Sequence, residues 1–175
     1  MRLFLLPVLL LASCYASAPQ GGGHFGPLPG ESILTVAGSI SSQEPDVGDT
    51  TDTVIAQVGI GHFLDEVREV GGQILIANSS SGNFESEVLG LLPYFNWNFR
   101  QSEQTWFYAG PHAGLIEVTF SGGGFNESET ELSYGVHGGM RQWVTSRSAF
   151  YIEPRITKSS KLDDFTILFG INFAL

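Results

Sequence analysis

The feature that most constrains this chain is a period of two. From Ser32 onward apolar and small polar residues alternate, and no apolar stripe of helical period extends over three turns. The last segment shows it most cleanly. Phe165, Ile167, Phe169, Ile171, Phe173 and Leu175 share one face, and Thr166, Leu168, Gly170, Asn172 and Ala174 share the other. An earlier segment repeats the pattern, with Leu89, Leu91, Pro93, Phe95, Trp97 and Phe99 set against Val88, Gly90, Leu92, Tyr94, Asn96 and Asn98. Eight such stretches are predicted as strands: 32–41, 53–63, 70–78, 86–99, 105–117, 131–143, 148–157 and 164–175. An even count of strands this long suits a closed up-and-down antiparallel barrel spanning a bilayer. Pro111 and Pro154 fall at mid-strand, where a proline cannot donate to the ladder, so a bulge or a break in pairing is expected at each.

Alternation alone leaves two barrels open, a transmembrane one and a soluble, lipocalin-like ligand binder with its apolar face inward. Charge separates them. Only 15% of residues are charged, against about 25% in an ordinary soluble domain. The faces opposite the apolar ones are built of Gly, Ser, Thr, Asn and Gln, which suit the filled interior of a narrow eight-stranded barrel. The aromatics near strand ends, Phe63, Trp97, Phe99, Trp106, Tyr108 and Trp143, are expected to form interface girdles.

The links between predicted strands also alternate. Links 64–69, 100–104 and 144–147 are short and carry Arg68, Arg100 and Arg147, while the first and third, 42–52 and 118–130, are long and acidic. Short turns would face the periplasm and the long acidic loops the outside. A charge of -10, from 18 acidic against 8 basic residues, argues against a nucleic-acid partner.

Arg2 precedes an apolar run of about ten residues, too short to span a membrane, which reads as a secretory signal peptide over 1–18. Ala16-Ser17-Ala18 fits one cleavage site, and Leu11-Ala12-Ser13-Cys14 resembles a lipobox that would make Cys14 the lipidated first residue. The Pro/Gly-rich stretch 19–31 reads as a flexible tether before a barrel over 32–175.

The Gly-rich strand, short turn and alternating return strand over Gly135–Arg155 resemble the small OmpA/OmpX-like outer-membrane barrels, and Gly59–Phe63 before its turn is a weaker copy. The resemblance implies an outer-membrane location, contact with outer-membrane lipids, a monomer, and delivery by the barrel-assembly machinery. Gly170, Phe173 and Leu175 would belong to its C-terminal signal, although that signal usually closes on Phe.

Chemistry is sparse in the sequence. His24, His62, His112 and His137 have no histidine partner at metal-ligand spacing, and a lone cysteine excludes a Cys-based zinc site, so neither a metal nor a cofactor is read. Asp46, Asp49 and Asp52 read as a solvated loop open to an extracellular ligand rather than as a calcium site. His137 and Arg141 share one strand face, and Glu153 and Arg155 another. With Tyr94, Asn96 and His112 they are expected to form a paired polar cluster in the lumen, since an isolated buried charge is prohibitively costly. The main reading is therefore a structural or surface-interaction barrel without a steady channel. The catalytic rival is a barrel hydrolase of outer-membrane lipid, which would need a serine near an oriented histidine. Gly139 stands where a His-x-Ser pattern would place that serine, and no catalytic residue is assigned.

Overall fold

The computed structural model describes residues 24–43, 50–160 and 163–175. Eight strands follow in chain order: β1 (Ser32–Gln43), β2 (Thr51–Phe63), β3 (Arg68–Ser81), β4 (Phe84–Arg100), β5 (Thr105–Gly122), β6 (Phe125–Trp143), β7 (Ser148–Lys158) and β8 (Asp163–Ala174). Each pairs antiparallel with the next, and β1 pairs with β8 over Ile33–Gly38 and Phe169–Ala174, closing the barrel.

The pleat decides which residues meet which environment. On β4, Leu89, Leu91, Trp97 and Phe99 are exposed while Val88, Leu92, Asn96 and Asn98 are buried inside. The other strands obey the same rule, with Val58, Ile60, Ile74, Ile76, Leu115, Val136, Phe150, Ile156, Phe165 and Phe169 all facing outward. At about 3.4 Å per residue and a tilt of about 40°, Leu89 to Phe99 projects to roughly 26 Å, the height of a bilayer's hydrocarbon band. This greasy exterior around a polar interior is the inverse of a soluble lipocalin-like barrel, and the fold is that of a transmembrane one.

Both prolines break pairing without a bulge. In the β4–β5 ladder Pro111 lies in the gap between Tyr94↔His112 and Trp97↔Ala109, a second gap between Leu91↔Leu115 and Tyr94↔His112 falls at Pro93, and the register is unchanged across both. On the other side Pro111 pairs with Val136 in an unbroken ladder. Pro154 does the same, interrupting β6–β7 between His137↔Arg155 and Met140↔Ile152 while pairing with Ile167 of β8.

The ends differ. At one, β2–β3, β4–β5 and β6–β7 are joined by short turns, and in the first Asp65 accepts from the backbone N–H of Val67 and Arg68 at 2.9 and 2.7 Å. At the other, the link expected as a long loop over 118–130 is almost wholly strand. β5 and β6 continue in register to Gly122↔Phe125. They turn on Gly123 and Gly124, whose φ of 58° and 90° suit a type I′ hairpin that side-chain-bearing residues enter at a cost. Together with β3 and β4, joined tightly after Ser81, they stand as a sheet well above the apolar band. β7 stops at Lys158, opposite Tyr134, so among the described residues no β7 rung continues along β6 from Phe125 to Ser133.

Candidate functional site

The lumen is filled in three layers. Nearest the short turns, Ile33, Phe63, Trp106, Trp143, Ala149 and Ala174 pack into an apolar floor. Phe25 packs on it from below, and Pro27 is fully buried. The N–H of Gly26 donates to Ser146 O at 3.0 Å and that of Gly30 to Phe63 O at 2.8 Å. Gly26 lies so close to Trp106 and Trp143 that an added Cβ would meet both rings within 3 Å. The segment expected as a free tether over 19–31 is therefore, from His24 to Gly30, a lid packed against the barrel. The girdle expectation also changes. Phe63, Trp106, Tyr108 and Trp143 point inward, and of that set only Trp97 and Phe99 face outward. Trp106 and Trp143 share the parity of the lumen residues on their own strands, which is why they form a floor rather than a belt.

Above the floor is a polar network. Arg141 of β6 grips Glu69 of β3 through both terminal nitrogens, at 2.9 and 3.3 Å, and also donates to Asn98 Oδ1 at 2.9 Å. Tyr94 Oη donates to the second Glu69 oxygen at 2.9 Å. The Arg141 guanidinium lies 4.3 Å from the centre of the Tyr108 ring, a cation–π stack. A second pair follows, in which Arg155 donates to Glu153 at 2.5 and 3.1 Å and to Gln73 Oε1 at 3.1 Å, while Tyr108 Oη donates to Glu153 at 2.7 Å. All four ions are buried, and two carboxylates cancel two guanidiniums.

A directed chain connects the histidines. Asn96 Oδ1 can only accept, so His137 Nε2–H donates to it at 2.8 Å. That leaves His137 Nδ1 to accept from His112 Nδ1–H at 3.2 Å, and His112 Nε2 to accept from Thr157 Oγ1–H at 3.1 Å. Two nitrogens facing each other at that distance cannot both carry protons. The Asn96 amide then donates to Glu69, at 3.4 Å.

The third layer is apolar again: Val88, Leu92, Ile116 and Val118, with Leu75 and Ala77 against them. Between the layers remains a cavity of about 10 Å³, lined by Gln57, Gln73, Tyr94, Tyr108, Tyr151 and Asn172 among others. This is room for about one water molecule.

The seven residues expected in the lumen cluster, Tyr94, Asn96, His112, His137, Arg141, Glu153 and Arg155, all lie inside the barrel within these networks. Their central carboxylate, Glu69, was hidden in the sequence as the last residue of a turn. Its alternation with the inward-facing Gly71 and Gln73 is the signal that could have placed it. Gly139 has no room for a side chain, since a Cβ there would sit 2.3 Å from Ile152 O and 2.7 Å from Tyr108 Oη. The position a deacylase serine would need is thus filled by Tyr108. At the barrel's closure, Gly170 lies against Val36 O and Tyr151, Phe173 pairs with Leu34, and the Leu175 N–H donates to Ser32 O at 2.9 Å. Cys14, Asp46 and Asp49 lie outside the described residues, and Asp52 is exposed on β2.

No protein-family profile matches the sequence, and no curated sequence matches it. Solved structures do. Ail, the attachment invasion locus protein of Yersinia pestis, superposes with a TM-score of 0.62 at 16% identity, over 85% of this chain and 100% of that one. Neisserial surface protein A gives 0.65 at 11%, over 82% and 96%. The N-terminal β-barrel domain of Pseudomonas aeruginosa OprF gives 0.61 at 9%, over 86% and 100%. At these identities the likeness is one of fold, that of small eight-stranded outer-membrane barrels.

Proposed function

We propose that the protein is a monomeric, non-catalytic outer-membrane barrel whose lumen is a permanent plug and whose working part is the sheet raised on β3–β6. The observation that carries this reading is the run Phe125–Ser133 of β6, which, among the described residues, extends beyond the last rung to β7 at Tyr134↔Lys158. An open edge is a liability that proteins shorten or cover unless it serves recognition, because its free N–H and C=O groups invite another strand. Here, among the described residues, no β7 rung follows it, and the run carries Glu127, Glu129 and Glu131.

Charge says what it meets. Glu85, Glu87, Glu117, Glu127, Glu129 and Glu131 all lie on this sheet, and among the described residues Lys158 is the one basic residue at this end. The structure of Ail with the heparin analogue sucrose octasulfate concerns a polyanion ligand of that protein. The acidic sheet here favours cationic partners and repels polyanions. Two β6 edges would also oppose each other's Glu127, Glu129 and Glu131, which disfavours pairing between copies. Glu69–Arg141 and Glu153–Arg155, with the apolar layers on either side, support the plug reading over a channel. Lipidation of Cys14 and recognition of Gly170, Phe173 and Leu175 by the barrel-assembly machinery complete the proposal.

The test is the side of the membrane on which the sheet stands. With Ser128→Cys on the raised sheet and Ser102→Cys in a short turn, a membrane-impermeant maleimide applied to intact cells should label the first and not the second. The reverse pattern overturns the reading.

A further inference from the structure

Pleating places Phe84 of β4, Phe120 of β5 and Phe125 of β6 on the inner face of the raised sheet, the same face that forms the lumen lower down. They are 57%, 42% and 47% exposed. Because they sit above the apolar band and inside the sheet's curve, lipid does not account for their exposure. The outer face at the same height is polar: Ser128 Oγ donates to Glu117 at 2.7 Å and Thr119 Oγ1 donates to Ser128 at 3.2 Å. Above the membrane boundary the outer face has thus turned polar, while the inner face carries these three rings beside Glu127 and Glu129.

The three rings line a cleft of about 260 Å³, closed on its other side by the hydroxyl residues Thr51, Ser79 and Ser81. The Phe84 and Phe125 rings are 6.2 Å apart at 44°. Glu85 also lines the cleft, and Glu127 stands directly across the ladder from Phe120. An aromatic surface with a carboxylate in its lining and another beside it favours one ligand chemistry, a cation with an apolar skin. Ring faces attract positive charge, and the acids add long-range attraction. A primary ammonium is more strongly hydrated and gains less from desolvation against phenyl rings.

We propose that this cleft binds a small free quaternary ammonium ion. The lipid-borne form of the same head group is disfavoured, because its phosphate would lie against Glu85 and Glu127. The proposal names a ligand for the raised sheet, and so rests on that reading for its biological setting. Binding in detergent is independent of which side of the membrane the sheet occupies, so maleimide labelling and ligand titration fail separately.

The experiment uses the full chain folded in a glucoside detergent, free of quaternary or amine-oxide head groups, with phenylalanine ring signals followed by NMR. Choline is the probe, 3,3-dimethylbutan-1-ol its neutral isostere, and phosphocholine the anionic control. Choline should shift the rings of Phe84, Phe120 and Phe125 saturably, and the two controls should bind about tenfold more weakly. Phe120→Leu keeps the apolar volume while removing a ring, and should weaken choline roughly two- to fivefold without changing the isostere's affinity. Heat-modifiable migration on gels checks that the variant is folded. Equal affinity for choline and its isostere, tighter binding of phosphocholine, or choline affinity unchanged in folded Phe120→Leu and Phe84→Leu would each overturn the proposal.

Discussion

The polar lumen and the raised sheet share strands β3 to β6, yet they treat charge in opposite ways. Inside the barrel β6 offers Arg141 to a fully buried Glu69; Arg141 also donates to Asn98 Oδ1, and Glu69 also accepts from Tyr94 Oη. Near the start of the same strand, on the same inner face, β6 carries Glu127, exposed to solvent. In the first region water is excluded and a charge persists only if neutralised. In the second, solvent screens the carboxylates. Charge is therefore buried and paired in the first region and exposed to solvent in the second.

The comparison breaks most visibly at Arg141. Arg141→Met should leave Glu69 ionised in a dry site and cost about 3–5 kcal/mol, read as a lowered urea midpoint in vesicles. The double variant Arg141→Met with Glu69→Gln should recover part of that loss, since coupled partners are not additive. A loss equal to the sum of the two single variants would show the pair to be incidental.

Gly139→Ser tests packing in the same region. The new side chain would press on Ile152 O and Tyr108, and the expected cost is about 1–3 kcal/mol, without any gain of hydrolase activity toward outer-membrane lipid. A stable variant that cleaves lipid would revive the catalytic rival. On the raised sheet, Glu87→Gln and Glu127→Gln should change stability by less than about 0.5 kcal/mol. A larger loss would mean that the sheet, like the lumen, uses its charges to hold itself.

The smallest effect belongs to the short turns. Asp65 is held below the ordinary carboxylate range, first by the Val67 and Arg68 backbone N–H groups and then by the Arg68 guanidinium. A lowered folded value means that its contribution is present above the unfolded pKa of 3.8 and is lost as pH falls through the folded one. The midpoint of Asp65 in an NMR titration should accordingly lie below 3.8, and Asp65→Asn should remove that transition.

How legible all this was in the sequence follows the same division. Inside the bilayer each strand has one greasy face and one polar face, so alternation in β4 and β8 identified both the element and its orientation. Above the bilayer both faces of β6 from Asn126 to Glu131 are polar, and the strand looked like an acidic loop. Glu69 was obscured by Asp65 and Arg68, which are turn residues, although it belongs to the lumen. Trp106 and Trp143 followed the rule that terminal aromatics form belts, but their parity places them inside. The lid formed by Phe25 and Pro27 carries no period, because it is held by shape against the floor.

The proposed plug requires a lumen sealed by its own paired charges and by an apolar layer at each end. Single-channel recording of the purified barrel in planar bilayers tests this most directly. The wild-type protein should show no steady conductance, and Arg141→Met should show openings if it inserts. A persistent open channel in the wild-type protein, unaffected by Arg141→Met, would contradict the plug.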